Sequence, residues 1–418
     1  MHSVSPNLVA PAARQRLYSR HRLDIEPSHI AFGLAALTAA GRDSVAAELE
    51  HAWSPDGRAL AAHSVRAGFH LLLSALDLPA GTEVMFSAVT HPDMPRIAAH
   101  HGLVPVPVDL DRDTLAPRPD ALWRAVTPRT RILVVAHLFG GLVDLDYAAD
   151  LCDRHGLLLV EDCAQAYRGP DYTGSALADV SMFSFGLLKT ATAAGGALIG
   201  VRQDSLLARM RALHEQWPAQ ERRSHLKRLA QTAAFLWLTR PLPYGKLARA
   251  TGDRFDRTVN SAVRAFPASS TGELVRRLEQ RPCAPLLRLL HERLSTFDID
   301  RFDARAANGE RLAAMLPADM LIGGRALDRT HWLFPISAPD PQRLVDAVRA
   351  AGFDASFKAS SVSAVPAPPE RPETDPERAR AVMSRLVFLP AYPELPPGAL
   401  ERMAAAVASE VGHAHAAA

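Results

Sequence analysis

An acid, a hydroxyl and an amine occur in a fixed order in the middle of the chain. Asp162 follows an apolar segment that is typical of a buried strand, and Ser184 ends a second such segment. Lys189 comes five residues after Ser184 and has uncharged residues on both sides. An aldehyde cofactor is held by an amine, its ring nitrogen needs a carboxylate, and its phosphate needs hydroxyl and amide donors. These residues therefore predict a site for pyridoxal 5′-phosphate (PLP), with Lys189 as the catalytic residue.

The position of Asp162 agrees with a role at the cofactor ring. The carboxyl end of a parallel strand faces the crevice in which such sheets bind ligands. Gln165 comes three residues later, so on a helical turn it shares a side with Asp162 and can reach the ring. Each residue also has a structural explanation: Asp162 can cap the next helix, Ser184 can be a buried strand serine, and Lys189 can lie on the surface.

A second group of candidates lies nearer the N-terminus. Ser64 precedes a predicted helix, and the free amides of its first turn, at Arg66 and Ala67, form an anion site to which the Arg66 guanidinium adds charge. His91 follows the predicted strand at 83–87 and offers a flat ring that can stack on a pyridine. The structural alternatives are an ordinary capped helix and a histidine in a turn.

Composition excludes several classes of protein. A chain of 418 residues with 48% hydrophobic residues is long enough for two or three domains. The net charge of +2 is too small to indicate a nucleic-acid-binding protein. Three cysteines without a CxxC pair or a signal peptide predict a cytoplasmic protein. No metal site is predicted, because His291-Glu292 lacks the second histidine of an HExxH motif.

The order of predicted elements indicates an α/β fold. Strands alternate with helices from about residue 64 to 201, which predicts a mostly parallel sheet with helices on both faces. We expect an N-terminal arm with helices at 1–50 and a large domain at 51–297. A helical insertion is expected at about 216–272 within this domain, and a smaller C-terminal α+β domain at 298–418.

One helical segment in the predicted insertion has an unusual distribution of charge. Residues 226–240 carry Lys and Arg at both ends of an apolar stretch that contains Trp237. Such a segment can lie on a membrane surface. The alternative is a helix packed on the core or on a partner subunit, which the short apolar stretch favours.

Several longer motifs resemble those of a known family. The chain is similar to the DegT/DnrJ/EryC1/StrS family of PLP-dependent aminotransferases, which have the type I (aspartate aminotransferase) fold. The resemblance extends from about Ser64 to Leu400. The stretches that carry it are LDLPAGTEV at 76–84, PVPVDLD at 105–111, VEDCAQ at 160–165, FSFGLLK at 183–189 and LPAYP at 389–393. The pattern S-F-x-x-x-K at 184–189 is the most specific of these.

The resemblance implies a function and a set of roles. It implies an aminotransferase that moves an amino group from an amino-acid donor to a keto or aldehyde acceptor, such as a keto-sugar or another biosynthetic intermediate. It also implies a homodimer. The implied roles are Lys189 as the Schiff-base lysine, Asp162 at the ring nitrogen, Gln165 near the ring oxygen, His91 stacked on the ring, and Ser184, Arg66 and Ala67 at the phosphate.

Two departures from the family pattern concern the expected site. The family's S-G-T reads Ser64-Val65-Arg66, and its N-x-R-M motif is replaced by Glu279-Gln280-Arg281-Pro282. Two other functions remain open. One is a PLP enzyme of another reaction type, such as elimination or decarboxylation, and the other is a non-catalytic regulator that keeps the fold. The presence of both Lys189 and Asp162 favours an enzyme.

Overall fold

The computed structural model describes residues 16–263, 270–357 and 361–417. The first fifteen residues of the predicted N-terminal arm and residues 264–269 of the predicted insertion lie outside the described residues. The helices are α1 (Pro27–Ala35), α2 (Arg42–Trp53), α3 (Val65–Leu76), α4 (Asp93–His100), α5 (Pro119–Ala125), α6 (Asp146–His155), α7 (Asp204–Glu215), α8 (Arg222–Leu238), α9 (Pro241–Thr251), α10 (Phe255–Val263), α11 (Thr271–Leu278), α12 (Ala284–Ser295), α13 (Ile299–Ala314), α14 (Pro341–Ala350), α15 (Glu377–Arg385) and α16 (Ala399–Ala417). The strands are β1 (Ala59–Ala62), β2 (Glu83–Ser87), β3 (Val89–Thr90), β4 (Val104–Val108), β5 (Thr130–Ala136), β6 (Gly141–Leu142), β7 (Leu158–Asp162), β8 (Val180–Ser184), β9 (Ala197–Val201), β10 (Asp328–Arg329), β11 (Phe334–Ser337), β12 (Ser356–Phe357), β13 (Ser363–Ala364) and β14 (Leu386–Leu389).

A seven-stranded sheet forms the centre of the molecule. Its strand order is β1-β9-β8-β7-β5-β2-β4. The pairs from β8 to β4 are parallel, whereas β9 is antiparallel to both β8 and β1. Parallel strands joined through helices are the expected result of alternating strand and helix patterns. The prediction of a mostly parallel central sheet is therefore confirmed.

Helices cover both faces of this sheet, as predicted. In β5 the side chains of Ile132 and Val134 join a core formed with α3, α4 and α7. Leu133 and Val135 point to the other face and join a core formed with α5 and α6. This alternation follows from the two-residue repeat of a strand, and both faces are apolar because both are buried.

A smaller antiparallel sheet lies in the C-terminal part of the chain. Its strand order is β11-β14-β12, and α13, α14 and α16 contribute to the same core through residues such as Leu312, Val348 and Met403. This arrangement has the α+β character expected for the C-terminal region. The predicted domain boundaries at residues 51 and 298 remain predictions.

Strand β1, at the edge of the sheet, is absent from the sequence prediction. Its residues Ala59-Leu60-Ala61-Ala62 are good helix formers, and tertiary pairing with β9 overrides that preference. The strand register aligns Ala62 with Ala197, and Ala197 with Ser184. Helix α3 starts directly after β1, so the N-terminus of α3 lies at the same edge of the sheet as Ser184.

Residues 226–238 of the segment with basic ends lie in α8, and Arg240 follows this helix. Its inner face is buried, with Leu229 and Phe235 in a core shared with α2 and α12. Its outer face exposes Leu226 and Trp237. The packing alternative therefore explains one face of this helix and leaves the other without a role. Within the described residues no helix is both long and apolar enough to cross a membrane.

Candidate active site

Most of the predicted site residues meet at the carboxyl edge of the central sheet. Asp162 is the last residue of β7 and Ser184 is the last residue of the neighbouring strand β8. A Cβ atom built on Gly186 would lie 3.8 Å from Ser184 Oγ and 4.0 Å from Lys189 Cγ. The side chains of Ser184 and Lys189 therefore both come close to Gly186, which follows β8, the strand next to the one that ends in Asp162.

Asp162 is a buried carboxylate without a cation in direct contact. It is 6% exposed, and its Oδ1 accepts a hydrogen bond of 2.9 Å from the amide of Ala164. Among the described residues it forms no salt bridge. Burial raises the pKa of Asp162 and outweighs the Ala164 hydrogen bond and the nearby Lys189, both of which lower it. The protonated ring nitrogen of a bound cofactor would give this buried carboxylate the cationic partner that it lacks.

The amine of Lys189 lies over an aromatic ring contributed by the C-terminal region. Its Nζ is 4.5 Å from the ring centroid of Trp332, and the Trp332 indole N–H donates to the carbonyl of Leu188 at 2.7 Å. Burial lowers the pKa of Lys189 to about 8, against an opposing effect of Asp162 and with a further lowering by Arg66. A lysine with this pKa supplies much more free amine near neutral pH than an ordinary lysine, which suits a nucleophile.

The predicted anion site at the start of α3 is only partly as expected. Ser64 is the N-cap, and its Oγ accepts a hydrogen bond of 3.1 Å from the Ala67 amide. The Arg66 guanidinium lies 2.7 Å from an Asp93 carboxylate oxygen. The amide of Ala67 is thus occupied by the cap, whereas Ser184 Oγ has no hydrogen-bond partner among the described residues.

Two basic residues that the sequence analysis did not select lie near Arg66. Burial, and then the neighbouring charge of Arg66, lower the pKa of Arg228 on α8. Burial also lowers the pKa of His63 to about 4, with further effects of Arg228 and Arg66, and His63 Nδ1 is buried without a partner. The neighbouring positive charges of Arg66 and Arg228 would be offset by a bound anion, so Arg228 and the unpartnered His63 Nδ1 extend the candidate phosphate site.

His91 and Gln165 lie where the sequence placed them, with defined contacts. His91 Nδ1 accepts a hydrogen bond of 3.2 Å from the Asp93 amide, and burial lowers its pKa to about 4. Arg66 and Lys189 are among the charges that act on it. Gln165 lies in a turn after β7, and its Oε1 accepts from the Phe139 amide at 2.8 Å. His91 is therefore a neutral ring near the lysine, and Gln165 keeps its NH₂ group free of that contact.

A buried polar network lies behind Asp162. The described residues contain one His/Cys/acid group with metal-like spacing, formed by His137, Glu161 and Cys163. His137 Nδ1 accepts from the Val143 amide, so its Nε2 carries the proton and donates to Glu161 at 2.7 Å. Burial acts to raise the pKa of Glu161, but the hydrogen bonds from His137, Tyr172 and the Ser175 amide outweigh it and lower the pKa to about 2. This histidine nitrogen is committed to the carboxylate and is not available to a metal.

The lining of a cavity beside Lys189 contains four arginines and one carboxylate, Asp24. The lining includes Arg20, Arg22, Arg301, Arg305, His331 and Trp332. Arg20 is paired with Asp354, and Arg301 is paired with Asp24. Arg305 donates instead to the Thr330 carbonyl at 3.0 Å and to Thr190 Oγ1 at 3.3 Å. No carboxylate in the described part of the chain lies within salt-bridge distance of Arg305, so this cavity suits an anionic ligand.

Comparisons with known proteins agree with this fold. A model of the DegT/DnrJ/EryC1/StrS aminotransferase family matches residues 47–231 of this chain. The fold is shared with DesV of S. venezuelae, at 22% identity and a TM-score of 0.62 over 92% of this chain and 93% of DesV. It is also shared with the sugar aminotransferase CalS13 of Micromonospora echinospora, at 22% identity and a TM-score of 0.64 over 94% of this chain and 100% of CalS13. The PLP form of Spr1654 from Streptococcus pneumoniae, a putative sugar aminotransferase by its description, has the same fold at 14% identity, with a TM-score of 0.66 over 94% of this chain and 98% of Spr1654.

The donor set at the sheet edge fits PLP. Lys189 supplies an amine of lowered pKa, and Asp162 supplies a buried carboxylate without a cation partner. Ser184 Oγ, the first turn of α3 and the basic cluster around Arg66 supply the donors and charge that a phosphate group needs. The hydroxyl of Thr90, next to His91, is also buried without a partner. These unsatisfied groups are the kind that a bound phosphate ester and ring would satisfy.

Proposed function

We propose that this chain is a PLP-dependent aminotransferase that moves an amino group from an amino-acid donor to a keto or aldehyde acceptor. In this proposal Lys189 holds the cofactor through its amine, and Asp162 contacts the ring nitrogen. His91 lies against the ring and Gln165 lies near its phenolic oxygen. Ser184, Arg66 at the start of α3, and Arg228 hold the phosphate, whereas the Ala67 amide, expected there from the sequence, stays bonded to the Ser64 cap.

The lowered pKa of Lys189 supports a role in proton transfer. When bound, PLP withdraws electrons from the carbon that carries the amino group and so makes its proton acidic. An amine with a pKa of about 8 can accept and return a proton near neutral pH. Asp162 keeps a negative charge beside the ring nitrogen, and the Trp332 ring restricts the position of the Lys189 amine.

The unpaired Arg305 in the cavity beside Lys189 supports an amino donor that carries a carboxylate. Arg305 is buried and has only neutral acceptors, and burial lowers its pKa to about 10, at which it remains charged at neutral pH. A donor carboxylate would satisfy this charge. We propose glutamate or glutamine as the donor. Because CalS13 is a sugar aminotransferase with the same fold, a keto-sugar is the first acceptor to test.

The observation that carries this proposal is the buried, unpaired Asp162 on the strand next to Ser184 and Lys189. The test is a half-reaction: purified protein loaded with PLP is mixed with glutamate, and the formation of pyridoxamine phosphate is followed. Conversion that is lost in Lys189→Ala supports an aminotransferase. Loss of the donor carboxylate as carbon dioxide, or elimination without pyridoxamine phosphate, would indicate another PLP reaction. A wild-type protein that binds no PLP would contradict the proposal and would favour the alternative of a non-catalytic regulator with this fold.

We also propose that the protein is a homodimer and acts in the cytoplasm. The homodimer follows from the family resemblance, and the three cysteines, all buried and unpaired by disulfides, suit a reducing compartment. The segment Glu279–Pro282, where the family has a partner-subunit motif, is tied to its own chain through a His70–Glu279 contact of 3.2 Å. Light scattering of the PLP-loaded protein tests the dimer, and a monomeric mass would contradict it.

A further inference from the structure

The outer face of α8 is exposed along its whole length. This face consists of Arg223, Lys227, Ala230, Ala234 and Trp237, which follow one another at alternating spacings of four and three residues. Leu226 lies beside them. This spacing keeps them on one side of a helix, opposite the buried Leu229 and Leu236. Trp237 is 60% exposed, which is high for so large an apolar side chain.

The next helix continues this surface. Leu242, in the first turn of α9, is 44% exposed, and Arg240 and Lys246 are exposed beside it. From Arg222 to Gly252 the sequence contains seven Lys or Arg residues and no Asp or Glu. We refer to the outer face of α8 together with Arg240, Leu242 and Lys246 as the α8–α9 surface. It combines apolar side chains that protrude into water with the exposed basic side chains of Arg223, Arg240 and Lys246.

We propose that the α8–α9 surface docks the protein on a membrane of anionic lipids. A helix that lies in a lipid interface has Lys and Arg around an apolar face with Trp or Leu, and its low overall hydrophobicity keeps it from crossing. Trp prefers the headgroup region, where its ring is buried and its N–H stays hydrated. Anionic headgroups complement the charge of Arg223, Arg240 and Lys246.

The same features argue against two other occupants. A second copy of the chain, centred on this surface through a two-fold axis, would place the basic residues against themselves. A nucleic acid would satisfy the charge but not the exposed Leu226 and Leu242, and the whole chain has a net charge of only +2. A lipid interface satisfies both the charged and the apolar side chains.

Docking here would place a membrane one helix away from the candidate site. The inner side of α8 carries Arg228 and His225, and these interact electrostatically with Arg66 and His63 respectively at the phosphate site. The chain would therefore act on substrates that reach or leave a membrane surface. The docking itself does not depend on the proposed aminotransferase activity, because it uses side chains on the opposite face of the helix.

The test is flotation of the PLP-loaded, full-length protein with vesicles of phosphatidylcholine alone or mixed with phosphatidylglycerol. We expect binding to the mixed vesicles only, reduced by added salt. The triple variant R223Q/R240Q/K246Q should bind on the order of a hundredfold more weakly, since each charge contributes about fivefold near an anionic surface. Trp237→Ser should also weaken binding, and it leaves the buried face of α8 intact.

Matched controls are Trp123→Ser and Arg325→Gln, which change an exposed Trp and an exposed Arg elsewhere. They should bind like wild type, and PLP uptake by every variant should show that it is folded. Equal binding of wild type to both kinds of vesicle, or an equal loss in the controls, would overturn the proposal. The proposal would also be overturned if wild type bound no vesicles and the α8–α9 variants instead lost the dimer. The same holds if wild type bound no vesicles and the variants lost binding to single-stranded RNA.

Discussion

The Lys189 ammonium lies 4.5 Å above the ring of Trp332, and the indole N–H of the same residue donates to the carbonyl of Leu188. The C-terminal region is thus tied to the backbone next to the lysine while its aromatic face touches the amine. A cation–π contact stabilises the charged form of an amine. Trp332 therefore opposes the effect of burial on the Lys189 pKa, and both the position and the reactivity of the amine depend on it.

Replacement of Trp332 should make the amine more reactive at low pH. Loss of a cation–π contact of about 0.5–1 kcal/mol in Trp332→Leu should lower the Lys189 pKa by roughly half a unit. The pH profile for the rate of PLP capture by the apo-protein should then shift to lower pH, because more amine is neutral. Trp332→Phe keeps an aromatic face and should shift less. A profile that moves to higher pH would contradict this role of the ring.

Asp162→Asn should have opposite effects on activity and on stability. The buried carboxylate has a raised pKa in the folded protein, so its charge destabilises the apo-protein. This destabilisation is absent below the carboxyl's ordinary pKa and is complete above the raised one, so the Tm of the apo-variant should exceed that of wild type at neutral pH. The half-reaction with glutamate should slow on the order of 10²–10³-fold, because the ring nitrogen loses its carboxylate.

The control for this prediction is Asp179→Asn, at a carboxylate that accepts a hydrogen bond from the Leu159 amide near the opposite end of β7. That change should leave the half-reaction unchanged. A lower apo Tm in Asp162→Asn at neutral pH would show that the carboxylate is satisfied within the apo-protein, contrary to its raised pKa.

Arg228→Gln should weaken PLP binding through the phosphate alone. We expect the Kd for PLP to rise about tenfold, since a charge-assisted contact contributes about 1.5 kcal/mol. The Kd for pyridoxal, which has no phosphate, should not change. Arg222→Gln on the same helix is the matched control, because that guanidinium donates to the carbonyls of Leu37 and Ala39. Equal losses for PLP and pyridoxal would mean that Arg228 supports the fold and not the phosphate.

Arg305→Gln should affect the amino donor and not the cofactor. The KM for glutamate should rise on the order of 10–100-fold with little change in the kcat, if Arg305 binds a donor carboxylate equally in the ground and transition states. The PLP Kd should be unchanged. Arg311→Gln, at an exposed residue of the same helix paired with Glu401, provides the control. A normal KM in Arg305→Gln would remove this arginine from the donor site.

The sequence predicted the parts of the site that are local and missed the parts that are remote. In the structure Asp162 and Ser184 are the last residues of β7 and β8, and His91 directly follows the short strand β3. Trp332 and Arg228 reach the site from segments about 143 and 39 residues from Lys189. Neither residue has a local pattern that indicates a ligand, because only tertiary packing brings them to the sheet edge.

The same distinction applies to the fold. The alternation of strands and helices predicted the parallel part of the sheet, because each unit has its own periodicity. The short alanine-rich strand β1 has no such signal and is formed by pairing with β9. Without β1, the sequence could not predict that α3 starts beside Ser184. The capping role of Ser64 was nevertheless evident from the sequence.

The most direct test of the central claim is to trap the bound cofactor chemically. The chain has only four lysines, Lys189, Lys227, Lys246 and Lys358. PLP-loaded protein is reduced with borohydride, digested and mapped by mass spectrometry, with Lys189→Arg as the control. The proposed site predicts a phosphopyridoxyl group on Lys189 and on none of the other three, and no labelled peptide in the variant. Label on another lysine with Lys189 unmodified, or no label at all, would contradict it.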